Sequence, residues 1–312
     1  MKTFLLNIFL LTCVTILVLG LSLFFIPDKA SQYSILGALP DKHALLKKIH
    51  VEKIIILGGS NVSFGMNSKK LEERFKKPVV NMGIHAGLGL EYIVNDIKPY
   101  IKKGDQIVLM PEYEHFYTDD FYGEMELVSM VFDIEPNSKQ LLTKQQWIHL
   151  LQYIPTYSAK KIKNYIPSLL NNKTKLVDIY HRNSFNEYGD AYIHWELPNQ
   201  TYSSATINNG NECINADIIP FLKEFKLFVK KQGATLYLFP PVIEQTSFNH
   251  QKIIITKIAE ELKNNDIAFV SEPKNYCYPK NLFFNSYYHL NKIGVDKRTQ
   301  QVIDDLSHLK IE

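Results

Sequence analysis

Residues 4–26 are almost all apolar and uncharged, with Asn7 as the one strongly polar break; Lys2 precedes the run and Pro27-Asp28 ends it. A helix of that length crosses a hydrocarbon core of about 30 Å. Basic flanks stay on the cytoplasmic side, so Lys2 predicts a cytoplasmic N-terminus and an extracytoplasmic remainder. The run is longer than the roughly 7–15 apolar residues of a secretory signal, and no small-x-small site follows, so an uncleaved signal anchor is expected over residues 1–27. Residues 28–50 read as a mixed linker with a short helical signal near its end.

From residue 51 onward the pattern changes to short apolar runs alternating with helical spacing. Residues 53–57, 78–82, 106–110, 234–239 and 267–270 predict strands. Residues 68–77, 88–101, 216–232, 250–264 and 292–309 predict helices; Leu90, Ile93, Val94, Ile97 and Ile101 mark one apolar face of the second. Gly233 supplies a helix stop, and Pro111 and Pro240-Pro241 end two of the strands. Continuous apolar strands between helices indicate an α/β domain with a mainly parallel sheet covered on both faces. Ligand sites in such folds lie beyond the carboxyl ends of the strands. Ser60, Gly83, Glu112 and Pro241 all fall there. The alternation breaks over residues 112–215, which are rich in Tyr and Asn and helical around 143–153 and 158–171. That stretch is too long for a plain loop and reads as an insertion over the strand ends.

Composition changes this picture little. A net charge of +3 with dispersed basic residues gives no argument for nucleic acid. Eighteen Tyr and eighteen Phe suit either a sugar-facing surface or, the default for most of them, an aromatic core. Of the 3 cysteines, Cys13 lies in the apolar run. Cys213 and Cys277 lie outside it, either disulfide-bonded or free. No Cys-x-x-Cys or His-x-x-x-His spacing suggests a metal, and Glu112, Glu114 and His115 are too close in sequence to match common ligand sets.

Three stretches carry chemistry: Gly58-Gly-Ser-Asn61, Asn81-Met-Gly-Ile-His-Ala-Gly-Leu-Gly89, and Phe284-Asn-Ser-Tyr-Tyr-His-Leu-Asn-Lys-Ile-Gly294. A serine hydroxyl needs a base to become a nucleophile, and histidine has a suitable pKa near neutrality. Glycine-rich turns and helix N-termini offer amides to the oxyanion formed in acyl transfer. A serine after the first strand, a glycine turn after the second and a histidine before the last helix together resemble the SGNH (GDSL-like) hydrolase superfamily. More narrowly, the chain is similar to its membrane-anchored bacterial branch associated with O-acylation of surface polymers.

The resemblance covers residue 53 to the C-terminus and implies a three-layer α/β/α, flavodoxin-like domain over residues 51–312. It implies Ser60 as nucleophile, His289 as base and Asn285 as the residue orienting the base. Gly59, Asn61, Gly83, Gly87 and Glu112 fall at the expected oxyanion or substrate positions, with the amides of Ser60 and Gly83 or of the Gly87–Gly89 turn as donors. No cofactor or metal is implied. The expected activity is that of a single-pass, extracytoplasmic serine esterase or O-acyltransferase in the cytoplasmic membrane. Its substrates would be ester-linked acyl groups, acetyl being the expected one, of a cell-surface polysaccharide or acylated glycan, with a membrane-bound acyltransferase as a partner.

Two departures stand out. The superfamily usually has an aspartate shortly before the histidine, where this chain has Asn285 and Ser286. It often has Gly-x-Asn after the third strand, where this chain has Pro111-Glu-Tyr-Glu114. An ionised carboxylate cannot donate to an oxyanion. Asn61 is then a substitute donor, and Glu112 or Glu114 a substitute acid. The competing expectation is a binding or assembly partner that keeps the fold without the catalysis.

Overall fold

Aliphatic and β-branched side chains at β1 (Ile54–Gly58), β2 (Val79–Asn81), β3 (Gln106–Met110) and β4 (Thr235–Leu238) build one parallel sheet in the order β2-β1-β3-β4. This architecture comes from a computed structural model that describes residues 1–170 and 179–309. Ile54 pairs with Val79 on one side and with Gln106 on the other, and Gln106 pairs in turn with Thr235. Chain order reverses between β1 and β3, so the carboxyl ends of these two strands flank a topological switch point. Ser60 follows one and Glu112 the other.

Alternate residues of each strand face opposite cores. Ile55, Leu57, Val80, Ile107 and Leu109 join one cluster with α6 (Leu90–Ile97) and α11 (Ile218–Lys231). Ile54, Ile56, Val79, Val108 and Met110 join another with Leu71 of α5 (Ser68–Phe75) and Val302 and Leu306 of α13 (Lys292–Leu309). Both faces are therefore buried, which is why the strands read as unbroken apolar runs. Burying each such side chain contributes about 1.5–3 kcal/mol.

The N-terminal helix α1 (Lys2–Phe25) is long and apolar enough to cross a membrane, and its residues are exposed up to Val18. Residues 28–50 are not a linker. They form α2 (Lys29–Tyr33), a 3₁₀ turn over Ile35–Ala38 and α3 (Leu39–Lys48). Leu36, Ala38, Leu39 and Leu46 enter the core, a set of apolar positions too short to stand out against the flanking polar residues. The expected fifth strand also fails to form. Residues 267–270 keep only the Val270 N–H to Leu238 O bond to the sheet, because the run is short, follows Asp266 at φ 58° and ends near Pro273. A separate parallel pair, β5 (Ile243–Glu244) with β6 (Cys277–Tyr278), brackets α12 (Gln245–Asn264).

The insertion is largely helical, with α7 (Glu114–Tyr117), α8 (Met125–Ser129), α9 (Lys144–Leu150) and α10 (Ile154–Leu170); residue 171 of the expected second helix lies outside the described residues. Its aromatic residues Tyr113, Phe116, Phe121 and Tyr122 are buried in the core. The three cysteines are free.

Candidate functional site

Ser60 is the first residue of the short helix α4 (Ser60–Ser63), directly beyond β1. Gly59 is required by close approach: a Cβ there would lie 2.5 Å from Glu112 Oε1 and 2.6 Å from the Ala86 nitrogen. Glu112 is 2% exposed and holds the turn from the end of β3. Its carboxylate accepts the Gly59 N–H at 3.2 Å and the Asn61 N–H at 3.0 Å. It is thus neither an oxyanion donor nor an acid for His289.

Asn61 does not supply the oxyanion donor either. Its side chain points inward, donating to Met110 O at 3.0 Å and accepting from the Arg298 guanidinium at 2.8 Å. Arg298, on the last helix, also donates to Asn61 O and is fully buried, with its charge pulled down to about 10 by burial. It ties α13 to the residue next to Ser60.

The glycine turn after β2 sits against this helix, but its donors differ from expectation. The Gly83 N–H is taken by Asn81 Oδ1 at 2.9 Å and the Gly87 N–H by His85 Nδ1 at 3.1 Å. The Leu88 and Gly89 amides bond back to His85 O and Ala86 O. The amides of Ser60 and Ala86 are left without a partner among the described residues. The Ala86 peptide is fixed from behind, because buried His115 bonds Ala86 O through Nε2 at 3.0 Å. Below it, the Lys42 ammonium donates to Gly83 O and Gly189 O, and burial, against the pull of Asp190, pushes its pKa down to about 7. Asp190 itself is buried and bonds Ser68 and Asn81. The polar patch from Asn186 to Asp190 thus supports the turn from beneath.

His289 stacks on Phe64, ring centroids 4.5 Å apart at 21°. Phe64 is the C-cap of α4, four residues after Ser60, and its N–H bonds back to Ser60 O. No hydrogen bond joins Ser60 Oγ to the imidazole or to any other described residue. On its far edge His289 Nδ1 meets Asn285 Oδ1 at 2.9 Å and Tyr180 Oη at 3.3 Å. Asn285 Nδ2 donates to the same Tyr180 hydroxyl at 2.8 Å, which turns Oδ1 toward the ring. With Nδ1–H donating to Asn285, Nε2 carries the lone pair. Burial, with His194 and His85 nearby, depresses the His289 pKa to about 3. His194 packs on Phe64 and Phe284 and is itself held down to about 4 by burial.

Glu114 does not reach His289. It is half-buried and accepts from the Tyr288 hydroxyl at 2.7 Å and from Gln251, which pins the loop just before His289 to the end of β3. The structure joins His289 to Asn285, and it sets Gly59, next to Ser60, against the Ala86 nitrogen. It leaves Gly83, Gly87, Asn61 and Glu112 as framework.

Sequence reasoning missed Tyr180, Ala86 and Arg298. Ala86 lay between two residues already singled out, His85 and Gly87. Tyr180 carries no local signal, because only the return of the insertion places it at the site. No family model matches the chain, and no curated protein matches it.

Proposed function

We propose that the chain is a membrane-anchored, extracytoplasmic serine esterase or O-acyltransferase of the three-layer SGNH type, acting on acyl esters of a cell-surface polysaccharide. One observation carries the reading. His289, oriented at Nδ1 by Asn285, stacks on Phe64 at the end of the short helix that Ser60 begins, and the Ser60 and Ala86 amides are unpaired among the described residues. Ser60 Oγ attacks the ester carbonyl as His289 Nε2 takes its proton. The oxyanion is met by the Ser60 and Ala86 N–H groups. The carbon–oxygen bond of the leaving alcohol breaks, and His289 returns the proton to that alcohol. Water or a sugar hydroxyl then releases the acyl group by the reverse steps. Anchoring is supported by α1, and the side of the membrane by Lys2 before it.

The low basicity of His289 makes its imidazolium expensive, since no carboxylate touches the ring among the described residues. The same observation favours the second reading, a binding or assembly partner of a polysaccharide acylation system. Fluorophosphonate labelling of the full chain separates the two. Labelling of wild type that is lost in Ser60→Ala and falls by about 10²-fold or more in His289→Ala supports catalysis. A folded wild type that takes no label supports the partner reading.

A further inference from the structure

The anchor helix is part of the fold rather than a loose tether. Lys161 of α10, 2% exposed, donates to Leu23 O at 2.9 Å and to both Asp133 carboxylate oxygens at 2.8 Å. Ser22 Oγ reaches Ser158 O at 3.3 Å, and Ser22 and Leu23 are buried against the domain. The contact resists displacement, because breaking it would leave the Leu23 carbonyl and one ammonium proton buried without a partner. The direction in which α1 leaves the domain is therefore fixed.

That direction sets the height of the membrane. A span of about 20 apolar residues beginning at Phe4 ends near Phe24. Phe24 and Phe25 are 66% and 77% exposed, and Phe24 also meets Phe132 of the domain edge-on. The domain takes hold of α1 at Ser22 and Leu23, within the last turn of the span, and α2 follows within a few residues, close to the membrane surface.

A cavity of about 310 Å³ opens at this level. Ala30, Leu36 and Lys160 line it on the anchor side. His85 and Tyr180, the neighbours of the Ala86 amide and of the His289 ring, line it on the site side. Its wall is apolar at Ile35, Leu36 and Met125 and charged at Lys160 and Glu126, a lining that suits an amphiphile.

We propose that this cavity admits a membrane-resident acyl ester, an amphiphile that presents its ester to Ser60 while its tail stays in the leaflet under the domain. The proposal rests on the serine-nucleophile reading above. Ser60 Oγ bonds the acyl carbon, the ester oxygen leaves with the amphiphile, and the proton passes from Ser60 through His289 to that oxygen. The acyl group stays on Ser60 until water or a hydroxyl acceptor arrives.

The test uses the full chain in phosphatidylcholine–phosphatidylglycerol vesicles and two probes. One is a fluorophosphonate with a hexadecyl tail, placed in the bilayer. The other is a short, water-soluble fluorophosphonate. Ala30→Trp and Lys160→Trp, both at exposed positions of the cavity lining, narrow it with little risk to folding. The cavity route predicts that the ratio of long-tailed to short labelling rates falls at least about fivefold in each variant. A ratio unmoved by both variants overturns the cavity route and leaves the Ser60 reading standing. A wild type labelled by neither probe overturns both.

Discussion

His43 and His289 are both buried and both hydrogen-bonded by neighbouring side chains, yet burial has opposite outcomes in the two places. His43 on α3 lies between carboxylates, Nε2 at 2.7 Å from Asp96 and Nδ1 at 3.0 Å from Glu135. Burial works against its charge, but the two acids outweigh burial and raise its pKa to about 9. His289 meets an amide and a phenol instead, and burial takes it down to about 3. Hydrogen bonding orients either ring. Only a carboxylate makes the charged form affordable in a low-dielectric site. The acids engage opposite edges of His43, an arrangement suited to an imidazolium that joins α3 to α6 and to the insertion. The fold thus places two carboxylates around His43 and, among the described residues, none against the candidate base.

The sharpest way to break this contrast is Asn285→Asp. A carboxylate at Nδ1 is expected to raise the His289 pKa by about 2 units or more, read from its ring proton in an NMR titration. Fluorophosphonate labelling should speed up about 10–100-fold and gain an acid limb at the new pKa. An unmoved ring resonance would mean that burial alone governs the site.

Next in size is the converse change, Asp96→Asn with Glu135→Gln. The His43 pKa is raised above its unfolded value, so its contribution is fully present below about pH 6.5 and is lost as pH rises through about 9. Denaturant titrations should show the double variant less stable by about 3 kcal/mol at pH 6, with the gap closing by pH 10. A gap of equal size at both pH values would rule out the imidazolium.

The smallest effect expected is that of Tyr180→Phe. It removes one hydroxyl from the Asn285–His289 pair, worth about 0.5–1.5 kcal/mol, and should slow labelling about 3–10-fold with little change in stability. A rate equal to that of wild type would restrict Tyr180 to a packing role.

Much of the sheet was legible because its strands are buried on both faces and so appear as unbroken apolar runs. Residues 53–57 and 106–110 are the clear cases. Residues 267–270 show the limit of that signal: the run is apolar, but an αL turn before it and a proline after it leave a single sheet bond. Residues 28–50 fail in the other direction. Lys42 and His43 look like surface residues until Gly83 O, Gly189 O, Asp96 and Glu135 are found around them. At the site, the sequence pointed to Ser60 and His289 by turn chemistry and order and to Asn285 by resemblance, and the structure joins the last two. The Ser60 amide was among the expected donors; that Gly83 and Gly87 would be engaged and Ala86 left free was not legible, because it depends on what Asn81 and His85 do with their side chains.

Local periodicity alone determined the apolar N-terminal helix, the parallel strands and the serine at a strand end, since each is encoded within one or two turns of chain. Tertiary structure decided everything that depends on distant residues meeting. It set Arg298 and Glu112 around the serine turn, brought Tyr180 from the insertion to His289, and locked Lys161 onto the end of α1. The physical reason is the same in each case: a buried polar group must find its partner wherever the fold supplies one, and sequence spacing carries no record of that choice.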